Sequence, residues 1–224
     1  MSILSNLDLI RRVPLFSTLT QAQAESVADA VIKRRFKRGE CIVEQGKKSN
    51  FLAIVLTGRA RVVTTDVRGR EVILATMNPG DYVGEMSLID NQPHSATVRA
   101  EVQTDVLILG RPEFARCLPE NTSMAYAVMK GLVQRLRYAD RKIESLALMD
   151  VYGRVARALL EFARPDKDGQ LVIRERVSRQ DVAKMIGASR EMVSRVMKDL
   201  EDRGFIEVGE DGTTVVKERL NTLG

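Results

Sequence analysis

The sequence predicts an α+β protein in three parts: an N-terminal antiparallel β-roll (jelly roll), one long dimerisation helix, and a C-terminal winged helix-turn-helix. Three observations lead there. Short β-rich runs alternate with glycines from Lys33 to Gly110. An apolar seam steps by 4 and 3 residues from Ala125 to Leu146. Two short helical patterns meet at Gly187 and are followed by a pair of short β-rich runs. The parts correspond to residues 1–120, 121–149 and 150–224.

Composition excludes several classes first. With 224 residues, 44% apolar and 29% charged, the chain has the mixture of a soluble globular protein. Its longest unbroken apolar run, Phe51 to Leu56, is 6 residues, whereas a membrane-spanning helix needs about 20. Asp8, Arg11 and Arg12 interrupt any secretory signal core. Cys41 and Cys117 form no C-x-x-C pair, and the single histidine, His94, leaves no zinc or haem ligand set. No metal, cofactor or membrane partner is expected, and a reduced cytoplasmic setting is. No nucleophile–base pair stands out, so the chain is not expected to be an enzyme. The net charge is +5, yet residues 150–224 hold 14 Lys plus Arg against 14 Asp plus Glu. DNA binding must therefore rest on where charges are placed rather than on their sum.

Each part has its own signals. Val13-Pro14-Leu15-Phe16-Ser17 opens the fold, and Thr20 begins a helical run. In the β-rich part, Leu52–Leu56, Val72–Thr76 and Val106–Leu109 read as strands, with turns at Gly39, Gly46, Gly58, Gly69, Gly80 and Gly84. Arg68-Gly69-Arg70 reads as a hairpin tip. The basic cluster Lys33-Arg34-Arg35 and Lys37-Arg38 reads as a charged turn. From about Thr122 to Leu148 the seam runs Ala125, Met129, Leu132, Leu136, Ala139, Ile143, Leu146. This is the 3.5-residue rhythm of a coiled coil and points to dimerisation; a helix packed on its own barrel is the alternative. After Asp150 come a helix ending before Pro165, a loop at Asp168-Gly169 and a strand Leu171–Ile173. A hairpin, Phe205–Val208 and Thr213–Val216 around Gly209–Gly212, closes the chain.

The helix-turn-helix is the most informative stretch. Ser178-x-x-Asp181 is a capping box, Gly187 supplies the turn, and Ser189 caps a second helix stopped by Gly204. At about 100° per residue, Arg190, Glu191, Ser194 and Arg195 share one face, and Val193, Val196, Met197 and Leu200 share the other. Arginine can grip guanine O6 and N7, and glutamate can accept from the amino group of cytosine. A solvated charged face is the alternative. If the N-terminal turn inserts into the groove, the acidic residues Asp199, Glu201 and Asp202 face away from DNA.

Three segments resemble the Crp/Fnr regulators in the correct order: Pro79-Gly-Asp-Tyr-Val-Gly-Glu-Met-Ser-Leu88, Leu148-Met-Asp-Val-Tyr-Gly-Arg-Val-Ala156 and Gly187-Ala-Ser-Arg-Glu-Met-Val-Ser-Arg195. The resemblance implies a cyclic-nucleotide-binding-type β-roll and a homodimer on double-stranded DNA with palindromic TGTGA-like sites. It implies base reading by Arg190, Glu191 and Arg195, with Ser194 matching a serine typical of the Fnr branch and Arg179, Gln180 and Ser189 on phosphates. Met129, Leu132, Leu136, Ala139, Ile143 and Leu146 would form the dimer interface. Effector contacts are implied for Gly84, Glu85, Met86, His94, Ser95, Ala96 and Asp140, with a cyclic nucleotide or cyclic dinucleotide as effector. Two positions depart from the pattern: His94 stands where the family has the phosphate-binding arginine, and Ala139-Asp140 where it has the adenine-holding pair. A neutral imidazole and an added carboxylate both disfavour cyclic AMP. His94 as an ordinary surface-loop residue is the alternative. The basic cluster at 33–38 matches in position a patch with which relatives touch RNA polymerase. Two other functions remain open: effector-independent DNA binding, and a nucleotide-binding regulatory subunit without DNA binding. The complete winged helix disfavours the last.

Overall fold

The computed structural model describes residues 5–17, 19–120, 122–175, 177–209, 212–217 and 219–220, and of residues 117–120, 122 and 123 the backbone alone. The Cys117 side chain and the centre of the final hairpin, Glu210-Asp211, lie outside the described residues. The chain divides into two compact units, Met1–Leu136 and Arg137–Gly224, with the boundary inside the long helix.

The first unit opens with helix α1 (Asn6–Arg12), a 3-10 turn (Pro14–Phe16) and helix α2 (Gln21–Ala30). Thr20 starts α2 with a full capping box, its hydroxyl on the Gln23 amide and the Gln23 side chain on its own. Eight strands follow: β1 (Ile32–Phe36), β2 (Cys41–Val43), β3 (Phe51–Thr57), β4 (Ala60–Thr65), β5 (Glu71–Met77), β6 (Tyr82–Val83), β7 (Thr97–Ala100) and β8 (Thr104–Gly110). The short helix α3 (Glu85–Asp90) lies between β6 and β7. The strands form two four-stranded antiparallel sheets, ordered β1-β8-β3-β6 and β2-β7-β4-β5. All six glycines read as turns have positive φ, and the 68–70 tip is tied by Asp66, whose Oδ1 accepts from the Arg68 and Arg70 amides.

The unbroken apolar run at β3 has a structural cause. Ala53 and Val55 face a core between the sheets with Phe36, Val98 and Val106. Leu52 and Ile54 face a second core shared with Ile10, Val27, Phe114, Met124 and Val128. A strand buried on both faces loses its polar alternation. The second core is closed by helix α4 (Arg111–Glu120) and by the start of helix α5 (Thr122–Leu148).

One expectation is corrected here. Lys33, Arg34 and Arg35 are not in a turn but in the edge strand β1, paired in register with Leu107, Val106 and Asp105 of β8, respectively. Only Lys37 and Arg38 belong to the turn region. Their strand is solvent-exposed except at Phe36, so its charged side chains hid a β-pattern from the sequence.

The second unit holds the end of α5, then α6 (Val151–Phe162), β9 (Arg164–Pro165), β10 (Leu171–Ile173), α7 (Arg179–Ile186), α8 (Arg190–Asp202), β11 (Ile206–Val208) and β12 (Thr214–Val216). Its four strands form one sheet, ordered β11-β12-β10-β9. The pair β9–β10 turns at Gly169, and β9 is a strand the sequence did not reveal because it is two residues long and contains Pro165. Val155, Leu159, Val182, Ile186, Val193, Leu200, Ile206 and Val216 make the core between the helices and this sheet.

Candidate DNA-reading and effector-binding sites

The Ser178 hydroxyl accepts from the Asp181 amide at 3.0 Å and starts α7. The helix ends at Gly187, whose φ of 65° is the left-handed conformation that favours glycine. The sharp turn is held from outside: Arg154 of α6 donates to the Ile186 carbonyl at 2.9 Å. Ser189 then caps α8, accepting from the Met192 amide at 3.1 Å. At the far end, the Phe205 amide bonds the Leu200 carbonyl and the Gly204 amide bonds Glu201. That paired arrangement around a left-handed Gly204 is a Schellman stop.

Between those caps α8 has two distinct faces. Val193 and Leu200 are fully buried, and Val196 and Met197 nearly so. Arg179, Gln180, Ser189, Arg190, Glu191 and Arg195 are exposed, and Ser194 is half-buried. The Glu191 carboxyl is held below the usual carboxylate range by its own backbone amide first and the Ser189 hydroxyl second. It stays ionised near neutrality, as an acceptor for a base amino group must.

Gly84, with φ 104°, ends β6 in a turn where a Cβ would meet the Phe51 carbonyl oxygen at 2.5 Å, so no side chain fits. Glu85 follows at 1% exposure. Its Oε1 accepts from Arg135 of α5, which also donates to the Tyr82 carbonyl and lies over the Tyr82 ring. Its Oε2 is buried and takes no hydrogen bond from any described residue. Arg111 fixes the other end of α3 by donating to the Ser87 and Leu88 carbonyls, both at 2.9 Å. Met86 and Ser95 are exposed, and Ala96 is buried.

His94 is not a surface residue. Its ring is buried, Nε2 lies 2.8 Å from the Ser49 hydroxyl, and its amide donates to the Lys47 carbonyl. Burial lowers its pKa, so it is neutral at physiological pH. Asp140 belongs to the second unit and is exposed on α5.

Helix α5 carries two seams. The one read from the sequence is largely uncovered: Met129, Leu136, Ala139, Ile143 and Leu146 are exposed, with Leu136 and Ile143 each at 63%. Leu132 is half-buried and packs partly against the barrel core. The second, at 124, 128, 131 and 135, was missed. Met124 and Val128 are buried in that core, the Tyr82 hydroxyl donates to the Val128 carbonyl at 3.4 Å, and it fills the place a side chain at Gly131 would take. Arg135 completes this seam. Its 4-3-4 rhythm was visible in the sequence, but a glycine and an arginine did not read as packing residues.

The comparisons with known proteins bear on both units. Residues 33–121 match the model of the cyclic nucleotide-binding domain, and residues 153–221 match the Crp-like helix-turn-helix domain. The cAMP-activated global transcriptional regulator Vfr of Pseudomonas aeruginosa is 34% identical over 193 residues, 82% of this chain and 88% of that protein. The chain belongs to the Crp/Fnr family of transcription regulators. The Cyclic AMP receptor protein of Thermus thermophilus is 32% identical across 92% of this chain and 93% of its own. Among solved structures, the c-di-GMP responsive regulator CLP of Xanthomonas campestris superposes with a TM-score of 0.74 at 26% identity, covering 88% of this chain and 98% of that one. As a Crp/Fnr regulator the chain binds DNA through its helix-turn-helix and is not an enzyme. Among the described residues, no helix is long and apolar enough to cross a membrane, and no cluster could hold a metal ion.

The buried Glu85 carboxylate has a measurable consequence. Burial raises its pKa, opposed by the Arg135 guanidinium and by its own backbone amide. The ionised form therefore opposes folding; its cost is absent below the ordinary carboxylate range and appears as pH rises through the raised value. Glu85→Gln is expected to melt at a higher temperature than the wild-type chain at about pH 7, with the gap closing near about pH 4. Thermal unfolding of both across that range checks this. A lower melting temperature for Glu85→Gln at neutral pH would mean that the Arg135 pair outweighs burial.

Proposed function

We propose that this regulator acts as a homodimer on an inverted repeat of TGTGA-like half-sites and is gated by a small effector in the β-roll. Arg190, Glu191, Ser194 and Arg195 read base edges, and Arg179, Gln180 and Ser189 hold the flanking phosphates. The observation that carries this reading is the polar face of α8: its arginines make no hydrogen bond or ion pair with another described residue, while the opposite face fills the core. The dimer forms along Met129, Leu132, Leu136, Ala139, Ile143 and Leu146. The exposure of Met129, Leu136, Ala139, Ile143 and Leu146 supports this, because a seam of apolar side chains left in water marks an interface. The setting is cytoplasmic, and RNA polymerase is a partner that the exposed basic strand β1 could meet.

Gly84, Glu85, Met86, His94, Ser95 and Ala96 form the effector site, and the family resemblance assigns Asp140 of α5 to the effector as well. Its residues suit one half of a cyclic nucleotide. Glu85 Oε2, which has no hydrogen-bond partner among the described residues, suits a ribose-type hydroxyl donor. The anion half fits poorly: the family's arginine is replaced by a neutral histidine already bonded to Ser49, and the Arg135 cation is engaged by Glu85. A cyclic nucleotide or cyclic dinucleotide held mainly through hydroxyl and base contacts is favoured over cyclic AMP. Titration calorimetry with cyclic AMP is expected to give weak binding to the wild-type chain. His94→Arg should tighten it about tenfold by adding a charge-assisted contact, and Asp140→Ser should tighten it further. Submicromolar wild-type binding coupled to a large gain in DNA affinity would overturn this part.

A further inference from the structure

Tyr152 and Asp199 lie outside the residues assigned to DNA, and base reading by the start of α8 gives neither of them a task. Tyr152 sits in the first turn of α6, two residues after its N-cap Asp150. Its hydroxyl donates to Asp199 Oδ2, in the C-terminal half of α8, at 2.7 Å. Arg203, at the end of α8, donates to the same hydroxyl at 3.3 Å and pairs with Asp199 at 3.5 Å. The Arg203 guanidinium stacks over Phe205 at 5.1 Å from the ring centre, and Arg219 stacks on that ring at 5.0 Å. Arg219 also donates to the Arg203 carbonyl at 3.0 Å. The acidic end of α8 is thus tied at once to the start of α6 and to the beginning of the wing.

We propose that Tyr152 is a positioning residue for DNA recognition: its hydrogen bond to Asp199, braced by Arg203, sets the tilt of α8 on α6. The proposal rests on the base-reading assignment above. A helix of 13 residues is about 20 Å long, so a tilt of about 5° set at its C-terminal end moves Arg190 by about 2 Å. A bidentate arginine–guanine contact does not survive such a shift. Asp199 and Arg203 are both about half exposed, so their ion pair adds little to stability, and the effect belongs in DNA affinity rather than in melting temperature.

Tyr152→Phe removes one oxygen and keeps the ring. The probes are the duplex that the wild-type chain selects from random-sequence DNA and a scrambled duplex, titrated at one salt concentration. Tyr152→Phe and Asp199→Ala are each expected to weaken the selected duplex about threefold to tenfold. The scrambled duplex should change less than about twofold, and the melting temperature by less than about 2 °C. The double variant should lose no more than either single one, because both break the same bond. Asp199→Asn, whose amide oxygen still accepts from Tyr152, should restore wild-type affinity. An unchanged ratio of selected to scrambled affinity in Tyr152→Phe overturns the proposal, as do additive losses, failure of Asp199→Asn to rescue, or a larger fall in melting temperature. Arg190→Ala separates the two readings. If it loses preference while Tyr152→Phe does not, only the positioning role falls; if it keeps preference, the base-reading assignment falls and takes this proposal with it.

Discussion

Replacing Ile143 by Glu is expected to leave a monomer at micromolar concentration and to remove operator binding with the dimer. The side chain is 63% exposed in the single chain, so the substitution should barely disturb the fold of either unit. In the proposed dimer the position meets its own twin across a two-fold axis. Two carboxylates would be buried together with no compensating partner, at a cost of about 3–5 kcal/mol. That corresponds to at least about a hundredfold in dimerisation constant. Half-sites bind tightly only when the two reading heads are linked, so DNA affinity should fall to that of a single head. Sedimentation and thermal unfolding on the same sample check both halves of the expectation. A variant that remains dimeric with unchanged melting would place the interface elsewhere, and Leu136→Glu, on the same seam, guards against a local accident.

Arg190→Ala and Arg195→Ala are each expected to cost about 1–3 kcal/mol on the specific site and to relax preference at one base pair. Arg179→Ala should behave differently. In the proposed reading it loses a phosphate contact, so it should weaken all sequences alike and shrink the salt dependence by about one ion. None of the three positions is buried, which keeps folding effects small and lets a change in base preference be read directly. Arg190→Ala with its preference intact would mean that α8 does not present this face to the groove.

The sequence carried the architecture unevenly, and the reasons are physical. The caps of α7 and α8 were legible because Ser178, Gly187, Ser189 and Gly204 each do a local job that neighbouring residues announce. The extent of α5 was legible because its apolar rhythm is long. Strand β1 was not, since an edge strand with four of five residues exposed has no buried face to write into its pattern. The second seam of α5 escaped because packing against the barrel there is done by an absent side chain at Gly131 and by a charged one, Arg135. At the proposed effector site, Gly84, Glu85 and the unusual His94 were legible in the sequence. That Ser49 holds His94, and that one Glu85 oxygen has no partner among the described residues, follows from the fold alone, because both depend on pairings across tens of residues.

The central claim is that a two-fold dimer reads DNA through the first turn of α8. Selection of binding sites by the wild-type chain from a random-sequence duplex pool tests it most directly. The expected result is an inverted repeat of TGTGA-like half-sites with centres about one helical turn, roughly 34 Å, apart. Enrichment of a single unrepeated motif, or of no motif at all, would contradict it.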